Sequence, residues 1–176
     1  MRLVRYNVAA SLDGYIADAQ GGFDWIPSDP TVDFAGLFVN VDTILLGRRT
    51  YEVVKAQQGP PWKSGMRVYV FSRTLRSHDH PGVTLVSDAA VTTVEALRRE
   101  SGSGEIWLFG GGSLFATLLA GRQVDQVEVT VVPILLGGGT PLLAAGSGVA
   151  NLRLIHTHTY PTGMVSLKYE VTGAAH

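Results

Sequence analysis

The chain contains no cysteine, which excludes disulfides, a thiolate nucleophile and cysteine-ligated zinc. Charge is scarce and balanced, with 14 Lys and Arg against 15 Asp and Glu and a net charge of −1. That balance gives no broad attraction to nucleic acid or to an anionic membrane, so any anion site must be local. Long apolar runs are missing too, and none approaches the roughly 20 residues that cross a bilayer. The opening MRLVRYNVAASLDG is broken by Arg5 and Asn7, unlike a signal peptide, and the expected compartment is the cytoplasm. There is no GxSxG elbow and no basic stripe interleaved with aromatics, so hydrolase and nucleic-acid readings find no footing. At 176 residues and 45% hydrophobics, the chain fits one domain, residues 1–176, long enough to bury roughly two thirds of its unfolded surface.

What is present is an alternation of strand and helix patterns. Leu3–Ala9, Thr43–Leu46, Arg67–Phe71, Val83–Val86, Ile106–Phe109 and Val124–Val132 read as strands, and Leu152–Thr159 with Met164–Val171 as a closing hairpin. Helical patterns run from Thr50 to Gln57, Val91 to Glu100 (capped by Ser87 or Asp88) and Ser113 to Ala120. A further helix is expected after Asp29-Pro30, with Asp29 as N-cap and Phe34, Leu37, Phe38 and Val41 as its apolar face. Such alternation predicts an α/β fold, a mostly parallel sheet covered on both faces, with antiparallel strands at the C-terminal edge. Leu136–Gly148 reads as a long glycine-rich loop.

Three strand ends carry anion-compatible chemistry. IWLF runs into Gly110-Gly111-Gly112-Ser113, TILL into Gly47-Arg48-Arg49-Thr50, and RVYVF into Ser72-Arg73-Thr74. Glycines admit a ligand to the main chain, and a helix start with free N–H groups favours phosphate; Ser113 is available there as a cap. Arginine and serine take a phosphate dianion through charge-assisted hydrogen bonds. Each piece alone also reads as an ordinary turn or a solvated arginine. Their coincidence at the carboxyl ends of strands, where α/β sheets bind ligands, favours one phosphate-bearing ligand such as a nicotinamide dinucleotide with a 2′-phosphate.

GRRTYE, VFSRT and FGGGSLFATLL, in this order and spacing, with NVAASLDGYIA and VTVVPILLGGGTPLL, resemble the dihydrofolate reductase superfamily. The branch this chain is most similar to is that of the pyrimidine reductase domain of riboflavin biosynthesis. The resemblance implies a dihydrofolate reductase-like three-layer fold and an NADPH-dependent reductase. It assigns phosphate binding at the helix start to Arg48 and Thr50, beside the strand-end candidates Gly47 and Arg49, the 2′-phosphate to Ser72 and Arg73, and the pyrophosphate to Gly110, Gly111, Gly112 and Ser113. Ala9 and Ile16 border the nicotinamide by the same likeness, which also implies a cis peptide between Gly110 and Gly111. For catalysis it points to Asp33, one turn into the expected helix, which reads equally as an acid favoured by the helix N-terminus, with Thr130 as partner, a residue that taken alone reads as a β-favouring strand position. A small planar heterocycle, pterin- or aminopyrimidine-like, is the implied substrate, and a homodimer is compatible with it.

The substrate end departs from the family at Tyr15, where the riboflavin enzymes usually carry lysine after SxDG. Trp25 stacks on a planar substrate or plugs its own loop. Asp13 contacts substrate or fixes the SLDG turn. His78, Asp79 and His80 lack a third ligand nearby, so a polar turn outweighs a metal site, and His156 and His158 fit one face of a strand. A non-catalytic NADP(H)-binding module with a diverged substrate pocket is the competing reading.

Overall fold

Three consecutive residues, Ile44, Leu45 and Leu46, are 0% exposed, the signature of a strand covered on both faces. They lie in the computed structural model, which describes residues 1–57, 61–102 and 104–174. Chain order is β1 (Val4–Ser11), β2 (Tyr15–Ala17), β3 (Val41–Gly47), α1 (Arg48–Ala56), β4 (Arg67–Phe71), β5 (Thr84–Val86) and α2 (Ala90–Arg99). Then follow β6 (Glu105–Gly110), α3 (Gly112–Ala120), β7 (Gln126–Val132), β8 (Thr140–Pro141), β9 (Ala150–Thr159) and β10 (Val165–Ala174). Among the described residues no helix is long and apolar enough to cross a membrane.

Eight strands form one sheet in the order β5-β4-β3-β6-β1-β7-β10-β9. The pairs from β5 to β7 are parallel, whereas β10 runs antiparallel to both β7 and β9. The antiparallel C-terminal edge is thus where the missing helix between the last two strands placed it.

Alternate residues of the central strands feed two cores. Leu45, Ile106, Leu108 and Tyr6 pack with Val94 and Leu97 of α2 and Leu114, Phe115 and Leu118 of α3. Ile44, Leu46 and Trp107 pack on the other face with Tyr51 of α1 and with Phe38. The Tyr6 and Phe115 rings stack at 4.0 Å, and Phe38 meets Trp107 at 4.6 Å. Each fully buried side chain of this size contributes about 1.5–3 kcal/mol, against about 1 kcal/mol net for a hydrogen bond. Apolar packing therefore holds the three layers together.

Three expectations fail locally. The helix after Asp29 does not form; only a 3-10 turn, Gly36–Phe38, is present. Asp29 Oδ1 accepts from the Thr31 N–H at 2.9 Å and Asp33 Oδ1 from the Gly36 N–H at 2.8 Å. Side chains that satisfy nearby backbone donors in this way compete with helix formation, and Phe34 is left 65% exposed. The caps also differ. Gly111, not Ser113, sits at the N-cap of α3, and Ala89 occupies that position for α2 in place of Ser87 or Asp88. Finally, β2 and β8 form a small separate ladder, so the glycine-rich stretch after Leu136 is partly a flap.

Candidate functional site

The sheet order makes β4, β3 and β6 neighbours, so the three strand ends singled out in the sequence stand side by side. Strand β3 leads into α1 on one face and β6 into α3 on the other. Where adjacent strands send their helices to opposite faces, a crevice opens at their carboxyl ends. Gly47 is the N-cap of α1 and Gly111 that of α3, and neither helix has a side-chain cap. A methyl group built on Gly47 would lie 3.6 Å from the Gly110 carbonyl oxygen and 3.9 Å from Gly111 Cα. Two helix N-termini with uncapped N–H groups therefore meet at one point, the arrangement that favours an anion.

Each glycine of the triplet also has an internal reason. Gly110 faces the Thr50 side chain, 3.2 Å from where a Cβ would stand. Gly111 adopts φ +100°, open to glycine but not to L side chains. A Cβ on Gly112 would meet the Pro141 carbonyl oxygen at 2.5 Å, so the β2–β8 flap rests on the start of α3. No described peptide bond is cis. The expected cis link between Gly110 and Gly111 is a trans bond, and the positive φ of Gly111 makes the turn.

Around this point the cations are not equivalent. Arg48 is committed to Glu52, with contacts of 2.9 and 3.0 Å, one turn along α1. Arg49 and Arg73 are exposed and have no carboxylate partner among the described residues. The first turn of α1 contains no acidic residue, so two arginines there oppose the helix dipole unless an anion joins them. Ser72 is buried at 8% exposure, its Oγ accepting from the Leu75 N–H at 3.0 Å and the Thr74 N–H at 3.2 Å. Ser113 is exposed on α3, its carbonyl accepting from the Thr117 hydroxyl at 3.0 Å.

The expected acid is not in the crevice. Asp33 is exposed and spent on Gly36, because the helix that would have aimed it inward is absent. Thr130 lies on β7, its Cα in register with that of Ala9 on β1. Ile16 packs its side chain against the α2/α3 core. Asp13 fixes two segments together: its carboxylate accepts from the Ser11 hydroxyl at 2.6 Å, the Leu136 N–H at 3.1 Å and the Gly137 N–H at 2.7 Å. The Ser11 hydroxyl foremost, with those amides, holds its carboxyl below the usual range. Trp25 donates its indole N–H to the Gly22 carbonyl at 3.1 Å, which ties it to its own loop.

On the sheet face opposite α2 and α3 lies a row of polar residues that the motif reading passed over apart from Thr130. Alternation puts Arg5, Asn7 and Ala9 of β1 on that face, beside Gln126, Glu128 and Thr130 of β7 and Ser166 and Lys168 of β10. Arg5 lies over the Trp107 ring at 5.5 Å, which fixes the side. The segment before β3 is tied over this face at two places. Arg5 Nη2 donates to the Leu37 carbonyl at 2.9 Å, and buried Asp29 accepts from the Thr162 hydroxyl at 2.7 Å and the Thr31 hydroxyl at 2.6 Å. Those two hydroxyls hold the Asp29 carboxyl down at about 2. Burial foremost, then the negative charges of Glu128 and Asp29, raises the Tyr160 phenol above its ordinary value. The signal was available in the sequence: the polar Arg5 and Asn7, and Gln126, Glu128 and Thr130, fall at every second position and mark one wet face.

A model of the RibD C-terminal domain matches residues 2–166. An uncharacterised Bacillus subtilis protein, YyaP, is 31% identical over 183 residues, covering 98% of this chain and 96% of that protein. The crystal structure of a putative riboflavin biosynthesis protein from Shewanella sp. PV-4 superposes with a TM-score of 0.82 at 29% identity, covering 98% and 99% of the two chains. Dihydrofolate reductase from Enterococcus faecalis, solved in complex with NADP(H), shares the fold at a TM-score of 0.71 and 16% identity, covering 97% and 96%. The three-layer architecture is dihydrofolate reductase-like, a reductase-type fold.

Proposed function

The chain belongs to the RibD C-terminal domain family, and from that premise we propose that it is an NADPH-dependent reductase of a small planar heterocycle. One observation carries the reading: the uncapped, glycine-started helices α1 and α3 meet at the sheet's switch point. The residues present fit the cofactor. The N–H groups at the starts of α1 and α3 would hold the pyrophosphate, and Arg49, Arg73 and Ser72 the 2′-phosphate. Thr50, against Gly110 and Gly111, would line the same turn. When bound, the reduced cofactor supplies the hydride.

The protein's own share is positioning and exclusion of water. Ala9 and Thr130 form the floor at the end of β1 and β7, and the flap pinned by Asp13 closes over the glycine turn. With Asp33 turned to solvent, a proton reaches the substrate from a residue of the polar sheet face or from a water held there. The displaced acid also favours the second reading, a non-catalytic NADP(H)-binding module. A homodimer accords with edge strand β9, whose Leu152, Leu154 and Ile155 are 41–49% exposed; light scattering at micromolar concentration tests it.

Titration with NADPH and NADH, followed by cofactor oxidation in the presence of dihydropterins and aminopyrimidines, separates these alternatives. Tight NADPH binding with turnover supports the reductase. Tight binding without turnover on any such heterocycle supports the module, and equal affinity for both cofactors removes the phosphate assignment.

A further inference from the structure

Asn7 has a buried side-chain amide nitrogen with no hydrogen-bond partner. A carboxamide N–H withdrawn from water and left unpaired is costly, and such a group calls for a partner, a water or a ligand. Its neighbour across β1 and β7 is Glu128, Cα register partner of Asn7. Register partners on one sheet face project their side chains together. The Glu128 side chain is 16% exposed and its ion pair is a long one, 3.4 Å from Oε2 to Arg5 Nη1. That leaves its carboxylate with acceptor capacity to spare.

The two groups are complementary to a particular ligand edge. Asn7 offers a donor and Glu128 an acceptor, side by side on the sheet face opposite α2 and α3, under the segment that precedes β3. A ring carrying C=O next to N–H, a lactam, satisfies both at once, and the Trp107 ring stands beside the pair, its indole N–H donating to the Asn7 carbonyl at 3.3 Å. The same row continues through Thr130 and Ser166, paired in register across β7 and β10, so the floor stays polar beyond the lactam edge. Water alone meets the same needs, but it does not reward a planar donor–acceptor edge over a blocked one.

We propose that Asn7 and Glu128 form the recognition pair for the lactam edge of the heterocycle, the specificity-determining contact of the substrate site. The proposal rests on the reductase reading for the identity of the occupant as substrate, but not for its binding. Neither residue lies at the cofactor crevice, so their loss spares NADPH affinity.

The test uses calorimetry on the full chain, with and without NADPH, and two probes: 5,6-diaminouracil and its 1,3-dimethyl derivative, in which both ring N–H groups are blocked. The wild-type protein binds the first at least about tenfold more tightly than the second. Asn7→Leu and Glu128→Leu each weaken 5,6-diaminouracil by about tenfold or more, and Glu128→Leu, which removes the acceptor for the ring N–H, also abolishes the discrimination between the probes, with NADPH affinity unchanged. Asn7→Leu also keeps or raises Tm, because it removes an unpaired polar group, whereas a structural asparagine would lower it. Unchanged probe affinity in both variants overturns the pairing, as does equal binding of the two probes by the wild type. A lowered Tm in Asn7→Leu with loss of both ligands makes Asn7 structural and overturns it too. Wild type that binds NADPH but neither probe overturns the lactam pair and leaves the cofactor reading intact. Binding of 5,6-diaminouracil without NADPH affinity does the reverse.

Discussion

Gly47 and Gly111 face each other: at the N-cap of α1 and the N-cap of α3, a methyl group added to either would lie 3.9 Å from the Cα of the other. Gly47 has φ −73° and ψ 155°, a conformation any residue adopts. Its smallness is therefore not required by its backbone. A Cβ there makes only ordinary contacts, the nearest at 3.6 Å, but it stands in the seam between the two helix starts. Gly47→Ala should fold with Tm within a few degrees of wild type and lose NADPH affinity by about tenfold or more. Unchanged affinity in a folded Gly47→Ala protein would show that the seam is not where the cofactor lies.

The arginines give a second expectation. Arg48 already faces Glu52, whereas Arg49 and Arg73 have no acidic partner among the described residues. A charge-assisted contact to phosphate is worth about 1.5–3 kcal/mol. Arg49→Ala and Arg73→Ala should each weaken NADPH by at least about tenfold and leave NADH nearly untouched, with Arg48→Ala the mildest of the three. Equal losses for the two cofactors would place these side chains away from the 2′-phosphate.

Gly112 is small for a different reason. The Pro141 and Leu142 carbonyls would lie 2.5 and 3.2 Å from an added Cβ, and backbone atoms yield only if the flap moves. Gly112→Ala should cost about 1–3 kcal/mol of stability, read as a Tm several degrees lower. A wild-type Tm would mean that the flap is already loose.

Asp33 should matter little. Its carboxylate serves the Gly36 N–H on an exposed turn, and asparagine retains an acceptor there. Turnover in Asp33→Asn is expected within about twofold of wild type, the range of a surface substitution. A collapse of kcat with unchanged Tm would return Asp33 to the chemistry.

The contrast between these residues shows what the sequence disclosed. Strand Arg67–Phe71 and the three glycine- or arginine-bearing strand ends were legible because their signals are local: a β-rich run, then a residue type that only a turn or ligand needs. Their convergence needed the order β4-β3-β6, which follows once crossovers alternate between faces. Asp33 misled because the same residues, Asp29 and Asp33, that announce a helix start can instead satisfy their own neighbours. Asp29 also binds Thr162, a residue 133 positions away, a contact that no local pattern announces. The Asn7–Glu128 pair was hidden differently. Its parity was readable within each strand, but the register that joins β1 to β7 is a tertiary fact.

Asp29 carries the last expectation. Its residue is only 4% exposed, and both oxygens are occupied, one by Thr31 and the other by Thr162. It thereby fastens the segment over the polar sheet face to the hairpin joining β9 and β10. With the folded carboxyl held at about 2 and an unfolded aspartate near 3.9, the ionised form is preferred by the folded state. The stabilisation is therefore complete above about pH 4 and is lost as pH falls from about 4 towards 2. Asp13, also depressed by its hydrogen bonds, contributes in the same direction. Thermal melts of the wild type should show Tm falling through this acid window, and Asp29→Asn, already destabilised at neutral pH, should fall less steeply. Parallel acid limbs for the two proteins would mean that the Asp29 charge does not hold the segment down. If instead the limb flattens, heterocycle affinity in the variant should weaken along with Tm, since the loosened segment is the roof of the site whose floor is Asn7 and Glu128.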